Sequence, residues 1–145
     1  MPFSRILVAV DIDDAEHAAA ALTAAKALQA AQQGAGQVHI LYVRHHLPVS
    51  YEGLLTSDFD TQEIEEARRL VGEWKEKFGL TDATFVSRRG RVRDQVMDEA
   101  EHMNADIIII GSHQPSLGSR VFGSNAAAIV RNSPVSVLIA RGASA

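Results

Sequence analysis

The residues best suited to chemistry lie in one glycine- and serine-rich segment, Gly111 to Asn125. Glycines let backbone N–H groups approach an anion closely, and a helix that begins at the end of the segment would present unpaired donors with a partial positive charge. Ser124 can add a hydroxyl, and Ser112 or Arg120 can assist. The same composition is typical of ordinary connections between a strand and a helix. The residues alone therefore leave two interpretations open, a phosphate site and a plain loop.

Two well-defined phosphate motifs are absent from this segment. It contains no Gly-Lys-Ser/Thr, so it is not a Walker A loop. The chain's Gly-x-Gly, at Gly34 and Gly36, precedes a predicted strand instead of following one, which excludes the dinucleotide fingerprint.

The acidic run Asp11-Ile12-Asp13-Asp14 follows a buried strand and suggests the aspartate pair of a phosphotransfer enzyme. A phosphatase of the haloacid dehalogenase type would need a further acidic cluster downstream, which the sequence lacks. A response-regulator receiver would need an aspartate after the third strand and a lysine after the fifth, where Ser87-Arg88-Arg89 and Arg141 stand. Asp13 or Asp14 is therefore assigned as a helix cap.

The six histidines do not have the spacing of a helical zinc site, because no pair lies four residues apart. His17, His39 and His102 are assigned as partly exposed surface or edge residues. His113 differs, because it lies inside the glycine-rich segment, where phosphate contact is one of two interpretations. No serine has the context of a nucleophile elbow, so no catalytic residue is assigned.

Four arginines cluster between positions 88 and 93. Such a cluster favours a solvated loop face, with an anion or partner site as the alternative. The cluster consists of Arg88, Arg89, Arg91 and Arg93.

The elements that must position these residues follow from hydrophobic patterning. Continuous apolar runs predict strands that are buried on both faces, as in a parallel sheet. Apolar positions at three- and four-residue steps predict helices between the strands. The predicted strands are Arg5–Val10, Gln37–Arg44, Ala83–Ser87, Ala105–Ile110 and Val135–Ala140. The predicted helices run from Asp13 or Asp14 to about Gln33, from Asp60 or Thr61 to Gly79, from Asp94 to about Asn104, and from Ser124 to Asn132, with a long loop over His45–Asp60.

This alternation predicts a three-layer α/β/α domain with a five-stranded parallel sheet of the flavodoxin-like or Rossmann-like kind. Ligands of such sheets bind beyond the carboxyl ends of the strands, where the strand order reverses. The search for a site therefore narrows to Asp11, the segment after Val43, and the segment after Ile110.

Composition limits the function classes further. The chain has 145 residues, 46% of them hydrophobic, a net charge of -4 and no cysteine. The missing cysteines exclude disulfide scaffolds, thiol catalysis and thiolate metal sites, and the mild acidity argues against non-specific nucleic-acid binding. No apolar run approaches the roughly 20 residues of a membrane span, and the N-terminus has no signal-peptide pattern. We expect a single domain over residues 1–145 and a cytoplasmic location.

Several segments together resemble the universal stress protein family over nearly the whole chain. They are Ile6-Leu7-Val8-Ala9-Val10-Asp11, Gly90-x-Val92, Ala105 to Ser112, Gly123-Ser124-Asn125-Ala126 and Ser133 to Ile139. ATP-binding members carry Gly-x2-Gly-x9-Gly-Ser/Thr, whereas this chain reads Gly111-x2-Gln114-x8-Gly123-Ser124. That form, with His113 and Pro115, resembles the F/G-type branch. The resemblance implies an adenine nucleotide alpha hydrolase-like sheet with strand order 3-2-1-4-5.

The resemblance also implies where an adenine nucleotide would bind. Asp11 would lie beside the adenine with Ala9 and Val10, Val43 would offer backbone groups to the adenine edge, and Gly111 would approach the ribose. Gly123, Ser124 and Asn125 would hold the phosphates. The remaining residues assigned to the site are Ile110, Ser112, His113 and Gln114.

The function implied is an adenine-nucleotide-binding stress-response sensor or regulator. ATP is the expected ligand, with AMP or ADP and an accompanying Mg²⁺ left open. The resemblance also implies a second copy of the chain as partner, paired through Val135–Ala140, which is an apolar edge strand of the kind that needs a covering partner. The alternative is a nucleotide-free interaction module that dimerises and docks other proteins. No residue is an evident general base near a γ-phosphate, so at most slow ATP hydrolysis or autophosphorylation is expected.

Overall fold

A computed structural model describes residues 3–45, 57–111 and 124–142 of the chain. Its strands are β1 (Arg5–Val10), β2 (Gln37–His45), β3 (Thr84–Gly90), β4 (Ile107–Gly111) and β5 (Ser136–Ala140). Its helices are α1 (Ala15–Ala31), α2 (Ser57–Lys77), α3 (Val92–His102) and α4 (Ser124–Asn132). All strand pairs are parallel, in the order β3-β2-β1-β4-β5, which confirms the predicted sheet.

Strand β1 shows why the apolar runs are continuous. Ile6 and Val8 pack on one face of the sheet with α1 and α2, while Leu7 packs on the other face with α3 and α4. All three side chains are fully buried. Because both faces are covered, successive residues must all be apolar, which is the pattern that predicted the strand.

Helix α1 begins after Asp14, whose carboxylate accepts a hydrogen bond from the backbone N–H of His17 at 3.3 Å. The buried alanines Ala21 and Ala25 let the helix lie close to the sheet. The helix ends at a left-handed turn, where Gly34 has φ of 81° and donates its N–H to the carbonyl of Gln29 at 3.0 Å. Such a turn satisfies carbonyls that the last helical turn leaves without a partner.

Helix α2 is amphipathic. Ala67, Val71 and Trp74 are buried against the sheet, and Phe78 packs at the edge of the same cluster, which confirms their assignment as core residues. Charged residues cover the opposite face. The C-terminal half of α2, from Ala67 onward, therefore has the predicted apolar stripe.

Strand β3 runs farther than predicted, to Gly90, and α3 begins at Val92, two residues before the predicted Asp94. Arg88 and Arg89 consequently belong to the strand, so their assignment to a solvated loop is wrong. The Arg89 guanidinium donates to a Glu63 oxygen at 3.1 Å, which lets a charged residue occupy a half-covered edge strand. Arg93 remains exposed, as predicted.

Helix α2 begins at Ser57, and β2 ends at His45, so the predicted loop over His45–Asp60 is shorter at both ends. The rest of that segment, residues 46–56, lies outside the described residues. Strands β4 and β5 each begin one or two residues later than predicted. Over the described ranges, no helix has the length and apolar character needed to cross a membrane.

Candidate functional site

The carboxyl edge of the sheet holds a cavity of about 280 Å³, here called the carboxyl-edge cavity. The ends of three adjacent strands, β2, β1 and β4, form its floor, and α1, α3 and α4 form its walls. Parallel strands bring their carboxyl ends to the same edge, and the strand order reverses on either side of β1. The lining residues are Ala9, Val10, Asp11, Asp14, His17, Ala18, Val43, Val92, Ile110, Gly111, Asn125, Ala126 and Ile129.

The cavity spans two strand spacings. Val43 lies near the end of β2 on one side, Asp11 follows β1 in the middle, and Gly111 ends β4 on the other side. Neighbouring strands lie about 4.8 Å apart, so the β2 and β4 ends are separated by roughly 10 Å. A ligand of the size of a nucleoside can bridge that width.

The β2 side of the cavity is apolar. Val43 from β2 and Val92 from α3 belong to one hydrophobic cluster, and α3 packs directly against β2. Ile129, which is fully buried, belongs to the same cluster from α4. This side can accept a flat apolar group such as a nucleobase.

The β4 side of the cavity adds polar groups to this apolar lining, since Ile110 of β4 belongs to the same hydrophobic cluster. Asn125 lines it from the first turn of α4. The first N–H groups of a helix lack intrahelical acceptors, and they give the helix start a partial positive charge. Ser124, the first residue of α4, is exposed and does not line the cavity. This end of the cavity is suited to a negatively charged group.

Gly111 lies where α1 packs most closely against β4. A Cβ atom built there would be 2.5 Å from the carbonyl oxygen of His17 and 2.8 Å from the His17 Cβ. Atoms do not approach that closely without a shift of the backbone. Only glycine therefore allows β4 to end against α1 with the cavity open beside it.

Asp11 organises the turn between β1 and α1. Its Oδ1 accepts a hydrogen bond from the N–H of Asp13 at 2.9 Å, and its carbonyl accepts one from the N–H of Asp14 at 3.1 Å. These bonds are typical of an aspartate that stabilises a turn through its own side chain. The Asp11 carboxylate thus lines the cavity while one of its oxygens holds the turn in place.

Asp14 and His17 also line the cavity, and sequence reasoning missed both of them. The Nδ1 atom of His17 lies 2.6 Å from the Asp14 carboxylate, so the cap of α1 also holds the imidazole ring. His17 is partly exposed, as predicted, and its place in the cavity lining is additional to that prediction. The available signal was the spacing of three residues between a cap residue and a histidine in the first helical turn, which places both on one side of the helix.

The structure brings together many of the residues assigned to the site from the sequence. Those that line the carboxyl-edge cavity are Ala9, Val10, Asp11, Val43, Ile110, Gly111 and Asn125. Ser112, His113, Gln114 and Gly123 lie outside the described residues.

A second cavity of about 680 Å³ lies at the opposite end of the strands, and we call it the amino-edge cavity. On its wall, Glu99 of α3 is almost fully buried and accepts a hydrogen bond from the Nε2 of His39 at 3.1 Å. Arg88 forms an ion pair with the same carboxylate at 3.7 Å, and Thr84 hydrogen-bonds the other nitrogen of His39. His39 is partly exposed, as predicted, and it belongs to a network around the buried carboxylate of Glu99.

Two further polar groups of the amino-edge cavity are bound to the protein. The Nε of Arg5 donates to the carbonyl of Met103 at 2.8 Å. Asp82 accepts a hydrogen bond from the side chain of Gln29 at 3.2 Å. The Nη1 atom of Arg88 is buried and has no hydrogen-bond partner among the described residues.

Tyr42 lies on β2 near the carboxyl edge, on the face opposite Val43. Burial raises the pKa of its hydroxyl, and the nearby negative charges of Glu63, Asp11 and Asp13 raise it further, while Arg44 opposes them. These five influences share one physical basis, because each changes the free energy of the phenolate and not of the neutral phenol.

Comparisons with known proteins point to one family. The model of the universal stress protein family matches residues 2–141. Universal stress protein G of Shigella flexneri is 30% identical over 147 aligned positions, covering 96% of this chain and 99% of that protein. Among solved structures, UspA of Lactobacillus plantarum superposes with a TM-score of 0.74 at 23% identity, covering 97% of this chain and 99% of the other. A universal stress protein solved in complex with cAMP superposes with a TM-score of 0.65 at 20% identity, covering 97% of this chain and 98% of the other.

Proposed function

Because this chain belongs to the universal stress protein family, we propose that it binds an adenine nucleotide in the carboxyl-edge cavity and acts as a stress-response sensor or regulator. The observation that supports this most strongly is that the cavity combines an apolar lining around Val43 and Val92 with polar groups at the start of α4. A nucleotide combines the same two features, with a flat base at one end and an anionic phosphate at the other.

In this proposal the adenine packs against Val43 and Val92, the ribose lies over Gly111, and the phosphate approaches Asn125 at the start of α4. ATP is the leading ligand, with ADP and AMP as alternatives and Mg²⁺ as a companion cation. The fold neighbour solved with cAMP supports an adenine nucleotide as the ligand class.

The test is calorimetric titration of the purified full chain with ATP, ADP, AMP and cAMP, combined with native mass spectrometry of protein prepared without added nucleotide. We expect a saturable heat for at least one of these ligands and a stoichiometry of one per chain. Absence of bound nucleotide together with no heat at millimolar concentration would overturn the proposal. A chain that then still associated with other proteins would be an interaction module.

We also propose that the protein is a homodimer joined through β5. Strand β5 is one edge of the sheet, and it contains no charged residue. Val137, Leu138 and Ile139 are only half-buried in the single chain. The other edge, β3, carries Arg88 and Arg89, and charges on an edge strand discourage pairing with another strand.

A matched pair of variants tests the dimer. Val137→Lys introduces a charge on β5, and Val86→Lys introduces the same charge at a half-buried position on β3. In sedimentation experiments we expect a dimer for the wild type and for Val86→Lys, and a monomer for Val137→Lys. A wild-type monomer at micromolar concentration, or a dimer that is lost only on changing β3, would contradict the assignment of β5.

A further inference from the structure

We infer that Asp11 is a specificity-determining residue of the carboxyl-edge cavity, and that its carboxylate makes the cavity select an adenine nucleotide with a singly charged phosphate over one with a doubly charged phosphate. The inference rests on the proposed nucleotide site and adds to it the class of phosphate that the site accepts. It comes from the position of Asp11, from its hydrogen bonds and from the charges of the described lining.

The first observation is the position of Asp11. It follows β1, which lies between β2 and β4, and it lines the cavity together with residues of both neighbouring strands. Adjacent strands are about 4.8 Å apart, so a phosphate beside Asn125 at the end of β4 would be roughly 5–10 Å from the Asp11 carboxylate. Charges at that distance interact at physiological ionic strength, because the Debye length is about 8 Å there.

The second observation is that hydrogen bonds hold Asp11 in place without bringing a cation to it. Its Oδ1 accepts the backbone N–H of Asp13 at 2.9 Å, and its carbonyl accepts the backbone N–H of Asp14 at 3.1 Å. Both donors are neutral amides. Within residues 3–45, 57–111 and 124–142, no basic side chain forms an ion pair with Asp11. A carboxylate therefore lies at the cavity wall with no cation of the described chain beside it.

The third observation concerns the other charges of the cavity. Asp14 is the second carboxylate of the lining, and it is already paired with His17. The lining residues that the structure describes include no lysine or arginine. The start of α4 supplies the equivalent of about half a positive charge. That partial charge favours the first negative charge of a phosphate, whereas a second negative charge is opposed by Asp11.

Tyr42 shows that the charge of Asp11 acts beyond its own turn. Burial raises the pKa of the Tyr42 hydroxyl, and the negative charge of Asp11 is among the charges that raise it further. A phosphate that loses its second proton gains a negative charge near the same carboxylate. The doubly charged form is disfavoured for the same reason as the phenolate.

The test removes the charge of Asp11 and keeps its turn. Asp11→Asn retains a side-chain oxygen that can accept the N–H of Asp13, but it has no negative charge. Glu101→Gln is the control, because it makes the same change in net charge at an exposed position of α3 near the amino edge of the sheet. The full chain is titrated with adenosine, the methyl ester of AMP and AMP at pH 7.5, with EDTA present to remove divalent cations. The phosphate of the ester has a single negative charge, and that of AMP has about two.

We expect the wild type and Glu101→Gln to bind the methyl ester more tightly than AMP, and Asp11→Asn to lose this preference. Relative to adenosine, Asp11→Asn should bind the ester about twofold and AMP about fourfold more tightly than the wild type does, because like charges about 5–10 Å apart repel by that amount in a largely aqueous setting. Any contact of Asp11 with the base or ribose affects all three ligands equally and cancels in these ratios.

Ionic strength separates a charge effect from a new hydrogen bond, because the amide of Asn has donors that a carboxylate lacks. The Debye length falls from about 10 Å at 0.1 M salt to about 3 Å at 1 M, so the gain for AMP should nearly disappear at 1 M. A gain that is the same at both salt concentrations, or an equal change for all three ligands, overturns the role of Asp11 and leaves the nucleotide site standing. If neither adenosine nor AMP binds the wild type, both the inference and the proposed function fail.

Discussion

The sheet has a cavity at each end, and the two differ in what lines them besides paired side chains. At the amino edge, Glu99 binds both His39 and Arg88, so a network of paired charges borders the larger cavity. At the carboxyl edge, Asp14 and His17 are also paired, but the cavity beside them has apolar walls on its β2 side and the start of α4 on its β4 side.

This difference teaches that the number of polar residues around a cavity is a poor guide to binding. A charge that is paired within the protein contributes to the fold, and a ligand must compete with that pair. A polar group at the rim of an apolar cleft can be paired by the ligand itself. The smaller cavity is therefore the better candidate for the functional site, and the following variants test that division.

The largest expected effect is the loss of stability in Glu99→Ala at the amino edge. Removal of the buried carboxylate leaves His39 and Arg88 without their shared partner. We expect the free energy of unfolding to fall by about 3 kcal/mol. This is the lower end of the usual range for such a loss, because Arg88 is partly exposed. Urea unfolding measures the change. Nucleotide affinity of the folded protein should remain at the wild-type value.

Glu101→Ala is the control, because Glu101 is exposed on the same helix. It should change the free energy of unfolding by less than about 0.5 kcal/mol. If Glu99→Ala reduced nucleotide affinity without reducing stability, the amino-edge cavity would have a functional role and the division between the two ends would be wrong.

The next effect in size is that of Gly111→Ala at the carboxyl edge. The new methyl group would be 2.5 Å from the carbonyl of His17, so α1 and β4 must separate, at a cost of about 2 kcal/mol in stability. The cavity beside them should deform, and we expect nucleotide affinity to fall. Calorimetry and urea unfolding on one preparation measure both quantities.

Gly72→Ala is the matched control for this glycine substitution. Gly72 lies in α2, and a Cβ atom there would have no neighbour within 4 Å. Alanine should stabilise the helix by about 0.5–1 kcal/mol, because glycine is a poor helix former. If Gly111→Ala instead kept the wild-type nucleotide affinity, ligand binding would not depend on the junction of β4 with α1.

The sequence predicted the sheet well and the site only in part, and the reasons are physical. Strand β1 was recognised because burial on both faces demands an unbroken apolar run. Strand β3 was predicted too short because two adjacent arginines, Arg88 and Arg89, are typical of a loop. In the structure, Glu99 pairs with Arg88 and Glu63 pairs with Arg89, which allows both arginines to lie in the strand. Pairs of that kind join residues distant in sequence, so no local pattern reveals them.

The cavity residues follow the same rule. Ala9, Asp11, Val43 and Gly111 were assigned through the resemblance to the family. The rule that strand ends of a parallel sheet share one edge directed the search to the same places, Asp11 and the segments after Val43 and Ile110. His17 was missed because its importance depends on where α1 crosses β4. That crossing is a tertiary contact, and its signal in the sequence is the glycine at position 111, where α1 leaves no room for a Cβ atom.

A smaller effect is expected from Asp14→Ala, which removes the cap of α1. Loss of a capping carboxylate typically costs about 1 kcal/mol. The variant also removes the acceptor of His17 Nδ1, so the ring is no longer held toward the cavity. Asp14→Asn restores a capping oxygen without the charge. Recovery of stability in Asp14→Asn, measured by thermal unfolding, would assign the loss to the cap, whereas equal losses in both variants would assign it to the charge.

The smallest effect concerns Tyr42, whose pKa is raised in the folded protein by burial and by Glu63, Asp11 and Asp13. The unfolded chain loses this proton first, near pH 10, so the contribution of Tyr42 to stability is fully present below that pH and is lost as the pH rises further. Tyr42→Phe cannot ionise, and its stability should therefore fall less steeply than that of the wild type above about pH 10.

Urea unfolding at pH 8 and pH 10.5 measures the difference, and Tyr51→Phe, which retains Tyr42, controls for the other tyrosine of the chain. Identical pH profiles for the wild type and Tyr42→Phe would mean that the phenolate is tolerated at the carboxyl edge, and that the negative charges near the carboxyl-edge cavity are better screened than their positions suggest.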